Sequence, residues 1–469
     1  MTFIQIEFVW FFAFVFTAYW ALRDRVLQNV LLIVVSAVFY GWVHPWFLIL
    51  LYTSAIVDYF AGIGIERYPS RKGAVLALSL GANLALLGYF KYCDFFLENV
   101  AAVLTAFGIE NSVRPLGILL PSGISFYTFQ SMAYSIDVYR GELKPRKNVL
   151  EYLLAVSFFC HLVAGPVQRA SNLLMQAETP RTLDWSQVRS GMALAMWGAF
   201  KKMVCADTVS PYVDKIFSLE NPSGPMVWAA TLGFTVQILA DFSGYTDIAR
   251  GTARMLGWEL MENFKHPYLA TSPSDFWRRW HISFSTWIRD YLYISFGGSR
   301  GGLGRTVAAT YGAMLISGLW HGASWSFVLW GAYHATLQVI YRLVTPRIPK
   351  SVRDAKWGTV PAVVLMFTFT VFGWLLFRET DITRIGRFLT LSPLSATPDE
   401  WVAVVTMLTI TFATAAPMVL ALVLERTVMP KIEGSPWYLP MQTTLWAVFA
   451  VCFYVFVKMD GVEFIYFQF

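Results

Sequence analysis

Apolar runs recur along this chain at close to the ~20 residues that an α-helix needs to cross the hydrocarbon core of a bilayer. They predict spans near 3–22, 28–43, 46–65, 74–91, 117–138, 149–165 and 225–240, and again near 307–321, 323–343, 359–377, 402–425 and 440–458. Two regions break the pattern. Residues 186–206 and 241–296 are interrupted by Gly, Pro and charge, which predicts short, tilted or re-entrant helices buried within protein rather than facing lipid. Residues 92–115, with Asp94, Glu98 and Arg114, read as an interfacial amphipathic helix. The fold class that follows is all-α and polytopic. With no evident linker or repeat, 1–469 reads as one membrane domain carrying an aromatic tail motif at 460–469.

Composition removes the soluble alternatives. The chain is 56% hydrophobic and 14% charged, with a mean hydropathy of +0.51, far from an ordinary soluble domain of this length. Its 19 Trp and 22 Tyr suit membrane interfaces and cavities. The net charge of +6 calls for no nucleic acid, because Lys and Arg retained in cytoplasmic loops produce the same excess. Arg23 and Arg25, then Arg67, Arg71 and Lys72, then Arg140, Lys144, Arg146 and Lys147 mark alternate loops, and the Trp42–Trp46 turn between has neither residue. Those basic loops are expected in the cytoplasm, with the N-terminus outside. Met1–Trp20 lacks a basic leader and is expected to stay as the first transmembrane helix. Cys93, Cys160, Cys205 and Cys452 are scattered and read as packing residues.

Against this background an imidazole stands out. Trp320-His321-Gly322 lies inside the apolar stretch Ala313–Ile340, where an ionisable group is costly and marks a functional site by default. Acyl transfer from a thioester to a hydroxyl needs a base to take the alcohol proton, and a neutral imidazole suits that work. His321 is the expected base. A second histidine, His281, sits in Ser274–Tyr291. Drawn as one helix, this segment puts Trp277, His281, Phe284 and Ile288 on one face and Arg278, Ser285 and Arg289 on another, with Ser274 as its cap. Such a helix also fits a basic surface lying on lipid headgroups. No GxSxG elbow or Cys–His arrangement suggests a covalent serine or cysteine enzyme.

Other constellations read as structural. Gly297–Arg305 has glycines and arginines fit to cradle phosphates, yet it lacks a P-loop Lys-Ser/Thr and reads as a flexible cytoplasmic connection. Asp241–Asp247 carries two carboxylates that do not share a helical face, so a buried polar network with Arg250 is expected rather than an acid pair, with Asp58 in a similar role. His44, His161, His266 and His334 read as structural, and no HxxxH or HExxH pair supports a metal.

Several segments in this order resemble the membrane-bound O-acyltransferase family, in its bacterial branch that acetylates alginate, cellulose and peptidoglycan. They are Phe39–Trp42, Leu120–Tyr127, Ile136–Gly141, Asp241–Asp247, Phe276–Tyr293 and Gly318–Ala323, and the likeness is nearly full length. The resemblance implies a ring of tilted helices around a thin centre, with funnels from both faces meeting near His321 as the catalytic residue. His281 then matches the family's second histidine, near the cytoplasmic mouth. Trp277, Arg278, Arg279, Trp280, Asp241 and Trp320 are expected to line the donor path and tunnel. No bound cofactor is implied; the donor substrate would be acetyl-CoA or another acyl thioester. A periplasmic SGNH-type transferase would complete delivery to an exopolysaccharide from the bacterial inner membrane. Peptidoglycan acetylation, or an acyl-donor channel without chemistry, are the alternatives. The tail 460–469 also resembles the C-terminal motif of the small peptide in teichoic-acid D-alanylation. Tyr466 is therefore either an acyl-carrying phenol or an aromatic interface anchor.

Overall fold

Capping side chains set several helix starts in the computed structural model, which describes residues 1–162, 165–348, 358–432, 435–436, 441, 443–444, 447–448, 450–451, 454–455 and 464–465. Asp24 accepts from the Leu27 amide at 2.9 Å, and Thr397 with Glu400 forms a reciprocal capping box, as expected where the first amides of a helix lack intrahelical partners. The helices in chain order are α1 (Ile6–Ala21), α2 (Arg25–Gly41), α3 (Phe47–Arg67), α4 (Lys72–Leu87), α5 (Cys93–Ala106), α6 (Ile124–Arg140), α7 (Val149–Ser157), α8 (Phe159–Leu162), α9 (Ala170–Glu178), α10 (Trp185–Phe200), α11 (Asp207–Ser218) and α12 (Gly224–Met255). They continue with α13 (Pro273–Trp277), α14 (Ile282–Trp287), α15 (Gly302–His321), α16 (Trp325–Val344), α17 (Thr359–Arg378), α18 (Ile382–Thr390) and α19 (Pro398–Val423). Among the described residues there is no strand, and five helical runs are long and apolar enough to cross a membrane.

Four departures from the sequence expectation have physical causes. The span expected at 149–165 breaks at Phe158 (φ −55°, ψ 117°), and the amide released at Phe159 donates to Ser36 Oγ at 3.0 Å. Residues 163–164 of that span lie outside the described residues. Of the interfacial helix expected at 92–115, residues 92–106 are instead the end of a 38-residue run, Pro69–Ala106, and the rest is not helical. Its Asp94 carboxylate folds the following chain back by accepting from the amides of Leu116 (2.7 Å) and Ile118 (3.1 Å). The span expected at 225–240 extends through Asp241–Asp247 into the 32-residue α12, because lysines on the neighbouring element meet both carboxylates. The single helix drawn through His281 is two short ones, α13 and α14, capped at Ser272 rather than Ser274.

The larger of two apolar clusters among the described residues draws side chains from Phe3 to Ile465. Cys160 is buried in it, Cys205 is buried in a smaller cluster with Phe200, Val204 and Ala240, and Cys93 is partly exposed, whereas Cys452 and most of the span expected at 440–458 lie outside the described residues. The pair that positions the site is α15 and α16. They approach so closely at Gly318 and Gly331 that a Cβ on the first would meet the Phe327 carbonyl and on the second the Met314 carbonyl. Small residues allow this contact where lipid offers no hydrophobic drive between helices.

Gly331→Val is therefore expected to destabilise the protein by about 1–3 kcal/mol through overpacking. Thermal unfolding in detergent should show a lower Tm for this variant, while Gly386→Ala, where an added Cβ meets nothing within 4 Å, leaves it unchanged or slightly raised.

Candidate functional site

His281 and His321 reach the same place from different elements. His321 is the last residue of α15 and is 4% exposed. His281 is fully buried in the break between α13 and α14, at a left-handed φ of 42° and ψ of 55°. A non-glycine residue in that region is strained and needs its surroundings to hold it. The support comes from Asn263: its carbonyl accepts from the Ile282 amide at 3.0 Å, and its side-chain oxygen accepts from Ser283 Oγ at 2.6 Å. Ser283 Oγ in turn accepts from the Val167 amide at 2.9 Å. This hinge turns the His281 ring inward, 4.7 Å from Phe242 of α12 and 5.0 Å from Phe284 of α14.

Two stacked rings link the imidazoles. Phe284 and Trp320 lie 4.1 Å apart at 25°, and Phe284 is 5.5 Å from His321. Trp320 is 6.0 Å from His281 and 4.9 Å from His321. Phe129 of α6 stacks on Trp287 at 4.1 Å and on Trp320 at 5.8 Å, fixing the pair from the other side. Around His321, Trp330 and Phe377 complete the enclosure at 5.0 and 5.2 Å. His334, expected to be structural, is one ring away, 4.7 Å from Trp330 and 5.2 Å from Trp277.

A cavity of about 760 Å³ leads toward this centre. Trp277, Arg278, Arg289 and Arg342 line it together with Phe284 and Ser317. Phe284 thus belongs both to the cavity wall and to the rings around the histidines. Arg279, Trp280, Asp241 and Trp320, also expected on the donor path or tunnel, are not among the residues lining this cavity. Arg279 pairs with Asp275 at 3.0 Å, and Trp280 is packed between Phe264, Phe276 and Trp374. Gly297–Arg305, apart from Leu303, does not line the cavity.

Asp241 is the centre of a separate buried cluster. Lys202 Nζ lies 2.8 Å from Asp241 and 2.7 Å from Asp207, all three nearly inaccessible. Asp247 pairs with Lys201 at 2.7 Å and with Arg250 at 3.2 Å. The Arg250 contact accords with the expected network; the lysines, on the turn after α10, carry no such signal in the sequence. Asp241 also accepts from the Ile465 amide at 2.7 Å, and Phe464 stacks on Tyr245 at 4.4 Å. Phe464 thereby lies beside Phe242, itself against His281. Tyr466 and the rest of the 460–469 motif lie outside the described residues. Asp58, buried in α3, accepts from Ser79, from Ser135 (2.5 Å) and from Asn83 (2.6 Å). Among the described residues no cluster of three His, Cys, Asp or Glu side chains is arranged for a metal ion.

Residues 142–377 match the profile of the membrane-bound O-acyltransferase family. The chain is 39% identical to the probable alginate O-acetylase of Pseudomonas putida, over 82% of this chain and 79% of that protein. It is 40% identical to the corresponding Azotobacter vinelandii protein, over 82% of this chain and 77% of the relative. Similarity to the peptidoglycan O-acetyltransferase of Helicobacter pylori is 31%, over 78% and 74% of the two chains.

Removing the shared cation should be worse than removing the whole charged cluster. Lys202→Met leaves Asp207 and Asp241 buried without this partner, at an expected cost of about 3–5 kcal/mol. The triple variant Lys202→Met/Asp207→Asn/Asp241→Asn is expected to recover much of that loss. Size-exclusion of heated, detergent-solubilised protein should rank the triple variant above the single one.

Proposed function

Because this chain belongs to the membrane-bound O-acyltransferase family, we propose that it moves an acetyl group across the membrane for O-acetylation of a secreted exopolysaccharide of the alginate or cellulose type. The protein is an acyltransferase of the bacterial inner membrane, crossing it several times. The donor is a cytoplasmic thioester, acetyl-CoA being the simplest. The acceptor side is completed by a periplasmic SGNH-type transferase. The observation that carries this reading is Phe284. It walls a cavity that contains three arginines and touches the imidazoles of His281 and His321.

The residues support a direct account of the transfer. Arg278, Arg289 and Arg342 suit the phosphates of a nucleotide-bearing thioester, while the apolar wall along Val307, Ala313 and Met314 suits its acyl arm. His321 takes the proton from the attacking hydroxyl as the new C–O bond forms. The tetrahedral intermediate then collapses with cleavage of the C–S bond, and the proton leaves with the thiol. His281 orders the same aromatic wall from the other side. The enclosing rings keep water from the thioester, which protects it from hydrolysis. Tyr466 is proposed as the hydroxyl that first receives the acetyl group, an idea favoured by the seating of Phe464 and Ile465 beside the Phe242–His281 contact.

In purified protein reconstituted into lipid and given labelled acetyl-CoA, His321→Ala should lower thioester turnover by roughly 10²–10⁴-fold, the usual contribution of a general base. Full turnover in a well-inserted His321→Ala protein removes this reading. Label should appear on the tail peptide of the parent and be absent in Tyr466→Phe; equal polymer acetylation by the two proteins sinks the relay. Flux of donor without turnover would instead identify a channel.

A further inference from the structure

α15 stops abruptly. His321 is its last residue, and Gly322 is extended at φ −165° and ψ 152°. The last carbonyls of any helix lack intrahelical donors, and in an apolar interior no water takes their place. Here the residues concerned are Leu319, Trp320 and His321, so the helix end that presents His321 is also the one that needs outside donors.

Among the described residues, one turn of another helix supplies donors to all three carbonyls. Between α4 and α5 the chain widens into a π turn, Gly88–Tyr92. Tyr92 donates its hydroxyl to the Leu319 carbonyl at 2.8 Å. The Lys91 ammonium donates to the Trp320 carbonyl, lies 3.5 Å from the His321 carbonyl and stands 5.8 Å from the Trp320 ring. Neighbours on a regular α-helix point about 100° apart, whereas this wider turn brings both side chains to one target. The charge of Lys91 also suits its place, since a helix C-terminus carries partial negative charge.

We propose that Lys91 is a positioning residue for acyl transfer: by bonding the last turn of α15 it fixes where the His321 imidazole stands against Phe284 and the cavity. This rests on His321 being the base. Lys91 need not touch substrate. A methionine would fill similar space but leave the Trp320 carbonyl without this donor, and the helix end would fray or rotate. An arginine keeps the charge and the donors on a different head. Tyr92→Phe removes one donor and leaves the ammonium, so its effect should be the smaller.

The test compares Lys91→Met, Lys91→Arg and Tyr92→Phe with the parent in lipid, reading acetyl-CoA turnover and hydrogen exchange in the peptide 316–326. Lys91→Met is expected to lose roughly 10–100-fold in kcat, the scale of a base displaced by about an ångström. KM for the donor should stay within about twofold, because the cavity arginines are untouched. Exchange at 316–326 should quicken in Lys91→Met, and Lys91→Arg should recover part of both effects. Parental kcat and parental exchange in Lys91→Met would overturn the proposal. So would equal losses in Lys91→Met and Lys91→Arg with no change in exchange. Should Lys91→Met fail to insert, Lys91→Arg and Tyr92→Phe decide: parental exchange and kcat in both also overturn it. The outcome for His321→Ala keeps the two readings apart. An active His321→Ala refutes the base itself, whereas an inactive His321→Ala beside a parental Lys91→Met refutes only the support assigned to Lys91.

Discussion

A polar group inside an apolar interior must find its partner within the protein, and the arrangement around His321 follows from that rule. α15 ends in the interior instead of running on to water. Its end therefore draws in Lys91 and Tyr92 from another helix, and its flank needs Gly318 and Gly331 to admit α16. The close α15–α16 pair then sets Trp330 against the imidazole, and Phe377 of α17 adds a second ring. Each of these features would be dispensable in a helix that crossed the bilayer without stopping.

The same rule shapes α12, where two carboxylates would be prohibitive alone. Lys202 lies between Asp207 and Asp241, and Lys201 meets Asp247, so charges that enter the interior do so as compensated groups. Asp241 has capacity left after Lys202 and uses it on the Ile465 amide. A residue that stabilises the core thus also anchors the far end of the chain. That anchoring puts Phe464 on Tyr245 and beside Phe242, whose ring faces His281.

Much of this was legible in the sequence because isolated polar residues in apolar runs are conspicuous. His321 and Asp58 were visible on that ground, Asp241 as one of two carboxylates beside an apolar segment, and His281 by its place on the apolar face of the helix drawn through it. So were Trp277 and Arg278, which line the cavity. Lys91 was not, since a lysine at the end of an apolar run looks like a residue reaching for the headgroups. Its partner lies 229 positions away. Nor does any periodicity announce a π turn. The 3.6-residue pattern through Trp277, His281, Phe284 and Ile288 misled for a related reason. His281, Phe284 and Ile288 are buried and Trp277 is partly buried, yet they come from α13, the left-handed residue, α14 and the π turn after it, so inward packing imitated a shared helical face.

His281 and His321 accordingly owe their positions to unrelated supports. One depends on the Asn263–Ser283–Val167 hinge, the other on the Lys91–Tyr92 turn, and the Phe284–Trp320 stack lies against both. A stack of two large rings has few alternative arrangements at interior packing density, so it passes on a displacement of either support instead of absorbing it. Phe284 is also wall to the cavity. The position of the cavity wall and the position of each imidazole are therefore not separately adjustable. A substrate that moved Phe284 on arrival would be felt at both histidines at once.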